Sequence, residues 1–231
     1  MKDILCPKFQ LEIRYTHILN FSSISREIVA PFIKLCSNFN VINEGTLEES
    51  LRLEFLEDAF WIEFRWDRAI LLTEGDLSRF DDENSSIKTF FDILKIFRQQ
   101  NSFGVIKNYL QLVFLVKTSK ESAQEVLSKF KDDYLNDKIY KFVKNPSDLS
   151  VVIEKSTEGM FESVTLGPYL YKDIAMRGLL PFKSSGLESL NHPDAHGRMV
   201  LQQIVENTTE YSFKTFRDKV RNIEKFPSYF Q

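Results

Sequence analysis

Two of the three histidines stand in one short stretch, Asn191-His192-Pro193-Asp194-Ala195-His196-Gly197-Arg198. His192, Asp194 and His196 lie at i, i+2 and i+4, so an extended backbone puts their side chains on one face. Pro193 favours such a backbone at His192. Imidazole and carboxylate together can ligate zinc or a similar metal. The same set could instead serve as acid and base on a phosphodiester or similar ester, with Arg198 steadying a phosphate. The stretch brings no recognisable fourth ligand. Asn, Pro, Asp and Gly are also what a solvated surface loop needs.

A second constellation is Trp61, Glu63 and Arg65, which alternate along "FWIEFRW" and so share one face of a strand. A stacked Trp and Arg can receive a base or a peptide, or can pack against another layer of the same protein. A third is the basic run Lys214, Arg217 and Arg221 near the end of the chain. Residues 212–225 hold 5 bases and 2 acids, whereas residues 44–83 hold 13 acids and 4 bases. That asymmetry could steer a basic partner to the first region or an acidic one to the second. His17, at the end of an alternating stretch, has the placing of a core-edge histidine.

Several chemistries lack their motifs. The chain has no G-x-x-x-x-G-K-[ST], no G-x-G-x-x-G, no G-x-S-x-G, no H-E-x-x-H and no C-x-x-C. No cofactor is predicted. With 3 histidines and 2 cysteines, His- or Cys-centred catalysis has few actors. Cys6 and Cys36 cannot staple a chain of 231 residues, and Cys36 reads as a buried free thiol on a helical stripe. A formal net charge of −3 argues against strong non-specific binding to nucleic acid. The opening "MKDILCPKFQLEIRY" shows no secretory pattern, and no run approaches a membrane span, so a cytoplasmic location is expected.

The elements that must position these residues follow from hydrophobic periodicity. "FQLEIRYTHI" alternates as a half-buried strand, and a helix is expected over about 23–39, with Pro31 starting it late or kinking it. Residues 51–66 read as a hairpin turning at Glu57-Asp58-Ala59, and "AILLTEGD" as a third strand. "SIKTFFDILKIF" follows as an amphipathic helix with Ile87, Phe90, Phe91, Leu94 and Phe97 on one face and Ser85 or Ser86 as its cap. The pattern restarts with the apolar strand "NYLQLVFLVKT", a helix behind a Thr118/Glu121 capping box, a hairpin from "DLSVVIEKS" and "MFESVTLG", the strand "RMVLQQIVEN" and a closing helix.

That closing helix, "SFKTFRDKVRNI", repeats the earlier one at Ser86/Ser212, Lys88/Lys214, Thr89/Thr215, Phe90/Phe216 and Asp92/Asp218. The apolar registers coincide as well, and so does the element order. The expected fold is therefore α+β, with two tandem β-α-β-β-β-α units forming antiparallel sheet or sheets covered by amphipathic helices. The units are residues 1–103 and 104–231, the second carrying an irregular insertion at about 168–197. This layout resembles a sporadically distributed bacterial family of uncharacterised proteins, whose members open with a strand like "LEIRY" and repeat a strand–helix–sheet–helix plan over a similar length. The resemblance implies a bacterial source and carries over no catalytic motif.

These observations point to a non-enzymatic cytoplasmic interaction protein. A protein partner is expected at a charged surface or sheet face, with Trp61, Glu63, Arg65, Lys214, Arg217 and Arg221 as candidates. The alternatives are a hydrolase centred on His192, Asp194 and His196, and a nucleic-acid-binding module using the basic closing helix.

Overall fold

Alternation along the first strand decides which way the sheet faces. Phe9, Leu11 and Ile13 are buried on one side, while Gln10 is half-buried and Arg14 exposed on the other. The computed structural model describes residues 4–75, 82, 85–101, 104–120, 122–134, 149–169, 197–208, 212–223 and 225. Within them, nine strands form one antiparallel sheet: β1 (Ile4–Tyr15), β2 (Asn38–Ile42), β3 (Ser50–Phe55), β4 (Phe60–Arg65), β5 (Arg68–Gly75), β6 (Val105–Lys117), β7 (Val151–Thr157), β8 (Met160–Pro168) and β9 (Arg198–Asn207). Their spatial order is β2-β3-β4-β5-β1-β6-β9-β8-β7.

The first strand of each half meets the other at the centre. Leu11 of β1 lies opposite Leu110 of β6, and Phe9 opposite Leu112, so the two halves share one sheet. Outward from that seam the order is β5-β4-β3-β2 on one side and β9-β8-β7 on the other. Each half thus places its first strand at the centre, its last strand beside it, and the others outward in reverse chain order.

The first half departs from the expected plan. The helix ends sooner: α1 (Phe21–Val29) passes into a 3₁₀ turn over Ala30–Leu35 that carries Pro31 near its start, and Phe39 belongs to strand β2. Proline suits the first turn of a helix but not its interior, so the chain begins a new, tighter turn there. The first half therefore follows its helix with four strands, not three. Cys36 sits just after the 3₁₀ turn, half-buried, and not on a helical stripe; Cys6 is buried, and neither forms a disulfide.

All four described helices bury side chains in one core on the same side of the sheet. They are α1, α2 (Lys88–Asn101), α3 (Ala123–Tyr134) and α4 (Phe213–Ile223). The apolar stripe of α2 lands as the spacing predicts, with Ile87, Phe90, Phe91, Leu94 and Phe97 all buried. Phe64 of β4 stacks with Phe90 at 5.8 Å and with Phe97 at 5.5 Å. Phe216 of α4 meets Phe9 of β1 edge-on at 5.6 Å and Phe91 of α2 at 5.2 Å. Each such aromatic pair adds about 0.5–1.5 kcal/mol beyond its burial. No described helix is long and apolar enough to cross a membrane.

The two similar helices start differently. At α4, the Thr215 backbone N–H donates to Ser212 Oγ at 3.2 Å, and the Ser212 N–H donates to Thr215 Oγ1 at 2.9 Å, a reciprocal cap. At α2, Ser86 Oγ instead donates to Asp58 Oδ2 at 2.6 Å, and Ser85 Oγ accepts from the Ile87 N–H at 3.4 Å. Ser212→Ala should therefore cost about 0.5–2 kcal/mol and Ser86→Ala less, measured by urea unfolding. At α3 the capping box is Ser122 with Glu125, at 3.3 and 3.4 Å. Thr118 is engaged elsewhere: its hydroxyl donates to the Gly197 carbonyl and accepts from the Lys120 N–H.

Candidate interaction face

The side of the sheet away from the described helices carries the side chains that alternate with the core. Across the register, Arg52 of β3 lies opposite Glu63 of β4, Glu63 opposite Ile70 of β5, Ile70 opposite Glu12 of β1, Glu12 opposite Tyr109 of β6, and Tyr109 opposite Glu206 of β9. The neighbouring row reads Trp61, Leu72, Gln10, Gln111 and Ile204. Charged and apolar groups are thus interleaved over the width of the sheet. Toward the Leu5 end this face becomes apolar and buried, at Val113 and Leu115.

The charges are organised as clamps. Glu63 is only 1% exposed, and each of its oxygens has its own arginine. Arg52 donates to Oε2 from Nη2 at 2.6 Å and from Nε at 2.9 Å, while Arg65 Nε donates to Oε1 at 2.6 Å. The Arg52 guanidinium also sits 4.5 Å from the centre of the Trp61 ring, a cation–π contact that flattens it against the sheet. Burial alone would raise the Glu63 pKa, but the hydrogen bonds and charges of Arg52 and Arg65 outweigh it and hold the carboxyl below its ordinary value.

Glu12 repeats the theme one strand pair over. It accepts from Arg14 Nε at 2.6 Å and from Arg68 Nη1 at 3.3 Å. Arg68 also pairs with Asp67 at 2.8 Å. Burial raises Asp67, yet the Arg68 hydrogen bond and charge take its pKa down. Lys107 pairs with Glu206. Lys8 Nζ donates to Gln111 Oε1 at 2.8 Å, and burial lowers its pKa. Burial raises the Tyr109 phenol, helped by Glu206 and Glu12.

A carboxylate stabilised in its charged form by two arginines is a poor proton donor near neutral pH, so these groups suit recognition better than acid–base work. They also leave donors over. Among the described residues, Nη1 of Arg52 and both Nη groups of Arg65 make no hydrogen bond. Such groups, beside half-buried Trp61, Ile70, Leu72, Tyr109, Ile204 and Phe161, can meet carbonyls, carboxylates and apolar side chains of an approaching surface.

Trp61, Glu63 and Arg65, drawn together by alternation, do stand together on this face. Alternation within one strand could not show that Arg52, Glu12, Arg68 and Tyr109 join them, because these come from other strands. His192, Asp194 and His196 lie outside the described residues. Arg198 begins β9, is 1% exposed, and donates from Nη1 to the Leu115 carbonyl at 3.4 Å. On α4, Lys214 and Arg221 are exposed and Arg217 is half-buried. His17 stands just beyond β1, exposed and not at the core edge, with its ring 4.2 Å from that of Trp66. Among the described residues no group of three or more His, Cys, Asp or Glu side chains is placed to hold a metal ion.

No family model matches the sequence, and no curated protein matches it.

Proposed function

We propose that the protein is a non-enzymatic interaction module that docks a protein partner on the face of its sheet opposite the four described helices. The observation that carries this reading is the pairing of pre-set arginine–glutamate clamps with half-buried aromatic and aliphatic side chains on that face. Arginine, tryptophan and tyrosine are the residues through which interfaces gain most of their affinity. The clamps hold Arg52, Arg65 and Arg68 in place before contact, which lowers the ordering cost of binding. Glu12, Glu63 and Glu206 of the face are already paired with Arg or Lys, so little of the acidic surplus of residues 44–83 makes this surface attractive to a basic partner. The remaining guanidinium donors favour a partner segment rich in carbonyl and carboxylate groups.

We also infer that the two halves descend from one duplicated unit. Support comes from the shared outward strand order and from the closing helices, which both bury their phenylalanine, Phe90 and Phe216, fully.

Photocrosslinking in the native cell tests the docking face. A benzophenone side chain at Tyr109 should give a discrete protein adduct that disappears on adding Trp61→Ala, whereas the same group at Lys129, on the exposed side of α3, should not. Equal adducts from both positions, or an adduct only from Lys129, would refute the assignment.

A further inference from the structure

At the C-terminal end of the central strand β6 the chain steps through Lys117-Thr118-Ser119-Lys120 before α3 begins. Between that step and α3 lies a cleft of about 340 Å³. Its apolar wall is Val126, Phe130 and Tyr134 of α3 with Met199 of β9. The Phe130 and Tyr134 rings lie 4.6 Å apart, and Tyr134 is 46% exposed, so part of that ring is open to a ligand. The cleft is at the small end of pockets that hold small organic molecules.

The charges at its mouth do not cancel. Lys117, Lys120 and Lys129 all line the cleft, against one acid, Asp133. Asp133 is already paired with Lys129, at 3.0 Å along α3. Lys117 and Lys120 are exposed, and among the described residues neither side chain makes an ion pair or a hydrogen bond. Two uncommitted ammonium groups therefore stand beside one neutralised pair. The step that carries them is fixed in place. The Thr118 N–H and hydroxyl both donate to the Gly197 carbonyl, and the Lys120 N–H donates to Thr118 Oγ1. Ser119, between the two lysines, is exposed, and its hydroxyl makes no hydrogen bond among the described residues. A phosphate monoester carries about −1.5 to −2 charge near neutral pH and three acceptor oxygens, which suits two ammonium groups and a hydroxyl. An aromatic body can stack on exposed aromatic side chains beside such cations. We propose that the cleft binds a small phosphate monoester with an aromatic body: the phosphate at Lys117, Ser119 and Lys120, and the ring against Tyr134 and Phe130. The cleft shares no named residue with the docking face, so each assignment stands or falls by itself.

Titration calorimetry of the full chain with phenyl phosphate, adenosine 5′-monophosphate, inorganic phosphate and adenosine provides the test. At least one of the two aromatic phosphates should bind saturably at one site, more tightly than inorganic phosphate or adenosine. Which one does separates a single-ring body from a nucleobase. Lys117→Gln and Lys120→Gln should each weaken that binding about two- to fivefold, and Asp133→Asn, which frees Lys129, should tighten it about twofold. All three positions are exposed, and unchanged circular dichroism would confirm that the variants fold. No binding of either aromatic phosphate, inorganic phosphate or adenosine binding as tightly as they do, or lysine variants indistinguishable from the parent would each overturn the proposal.

Discussion

Phe216→Ala should lower the stability of the whole chain by about 3–5 kcal/mol, the usual cost of deleting a fully buried phenylalanine. The ring is 0% exposed. It belongs to the last helix, yet it packs on Phe9 of the first strand and Phe91 of α2. The loss should therefore be felt in the first half, where both tryptophans, Trp61 and Trp66, reside. Tryptophan fluorescence during urea unfolding should show one transition with its midpoint shifted down and its slope unchanged. A tryptophan transition that ignores the substitution would mean that the halves fold separately, against the continuous sheet centred on β1 and β6.

Glu63→Ala should cost about 1.5–3 kcal/mol, the range for hydrogen bonds to charged groups. A larger loss is not expected, because Arg52 and Arg65 are 31% and 37% exposed and water can take over part of their solvation. The substitution should also change the response to acid. The Glu63 pKa in the folded protein lies below its ordinary 4.5, so its contribution is fully present above pH 4.5 and is lost as pH falls through the depressed folded value. Asp67, held below 3.8, acts in the same direction. The parent protein should lose stability on acidification below pH 4.5, and Glu63→Ala should lose less over that window. Unfolding midpoints recorded between neutral pH and pH 3 will show whether the two curves converge.

Much of this architecture is legible in the chain because the core is written by simple periods. The alternation of Leu51, Leu53 and Phe55 with Arg52 and Glu54, and the 3.6-residue spacing from Ile87 to Phe97, each leave one arrangement with a buried apolar face. The strand β2 is less legible. It spans only five residues, "NFNVI", and an apolar stripe entering from α1 masks the change of period after Pro31. Thr118 and Ser122 both offer a cap, and only the tertiary bond from Thr118 to Gly197 decides between them. The docking face is legible strand by strand and no further. Trp61, Glu63 and Arg65 share a face by alternation, but the pairing of Glu12 with Arg68 depends on register across 56 residues of chain. Register comes from the whole sheet, since slipping it by one residue would turn the entire phenylalanine set toward solvent.

The most direct test of the docking face is the affinity of the partner identified by crosslinking, measured for three forms of the chain. Trp61→Ala removes the ring on which Arg52 rests and should weaken binding by about 30-fold or more, as expected of a central aromatic anchor. Lys129→Ala, on the helix-covered side, should change Kd by less than about twofold, as expected of a surface charge outside the interface. A Kd unmoved by Trp61→Ala, or moved more by Lys129→Ala, would contradict the assignment of the sheet face opposite the described helices as the binding surface.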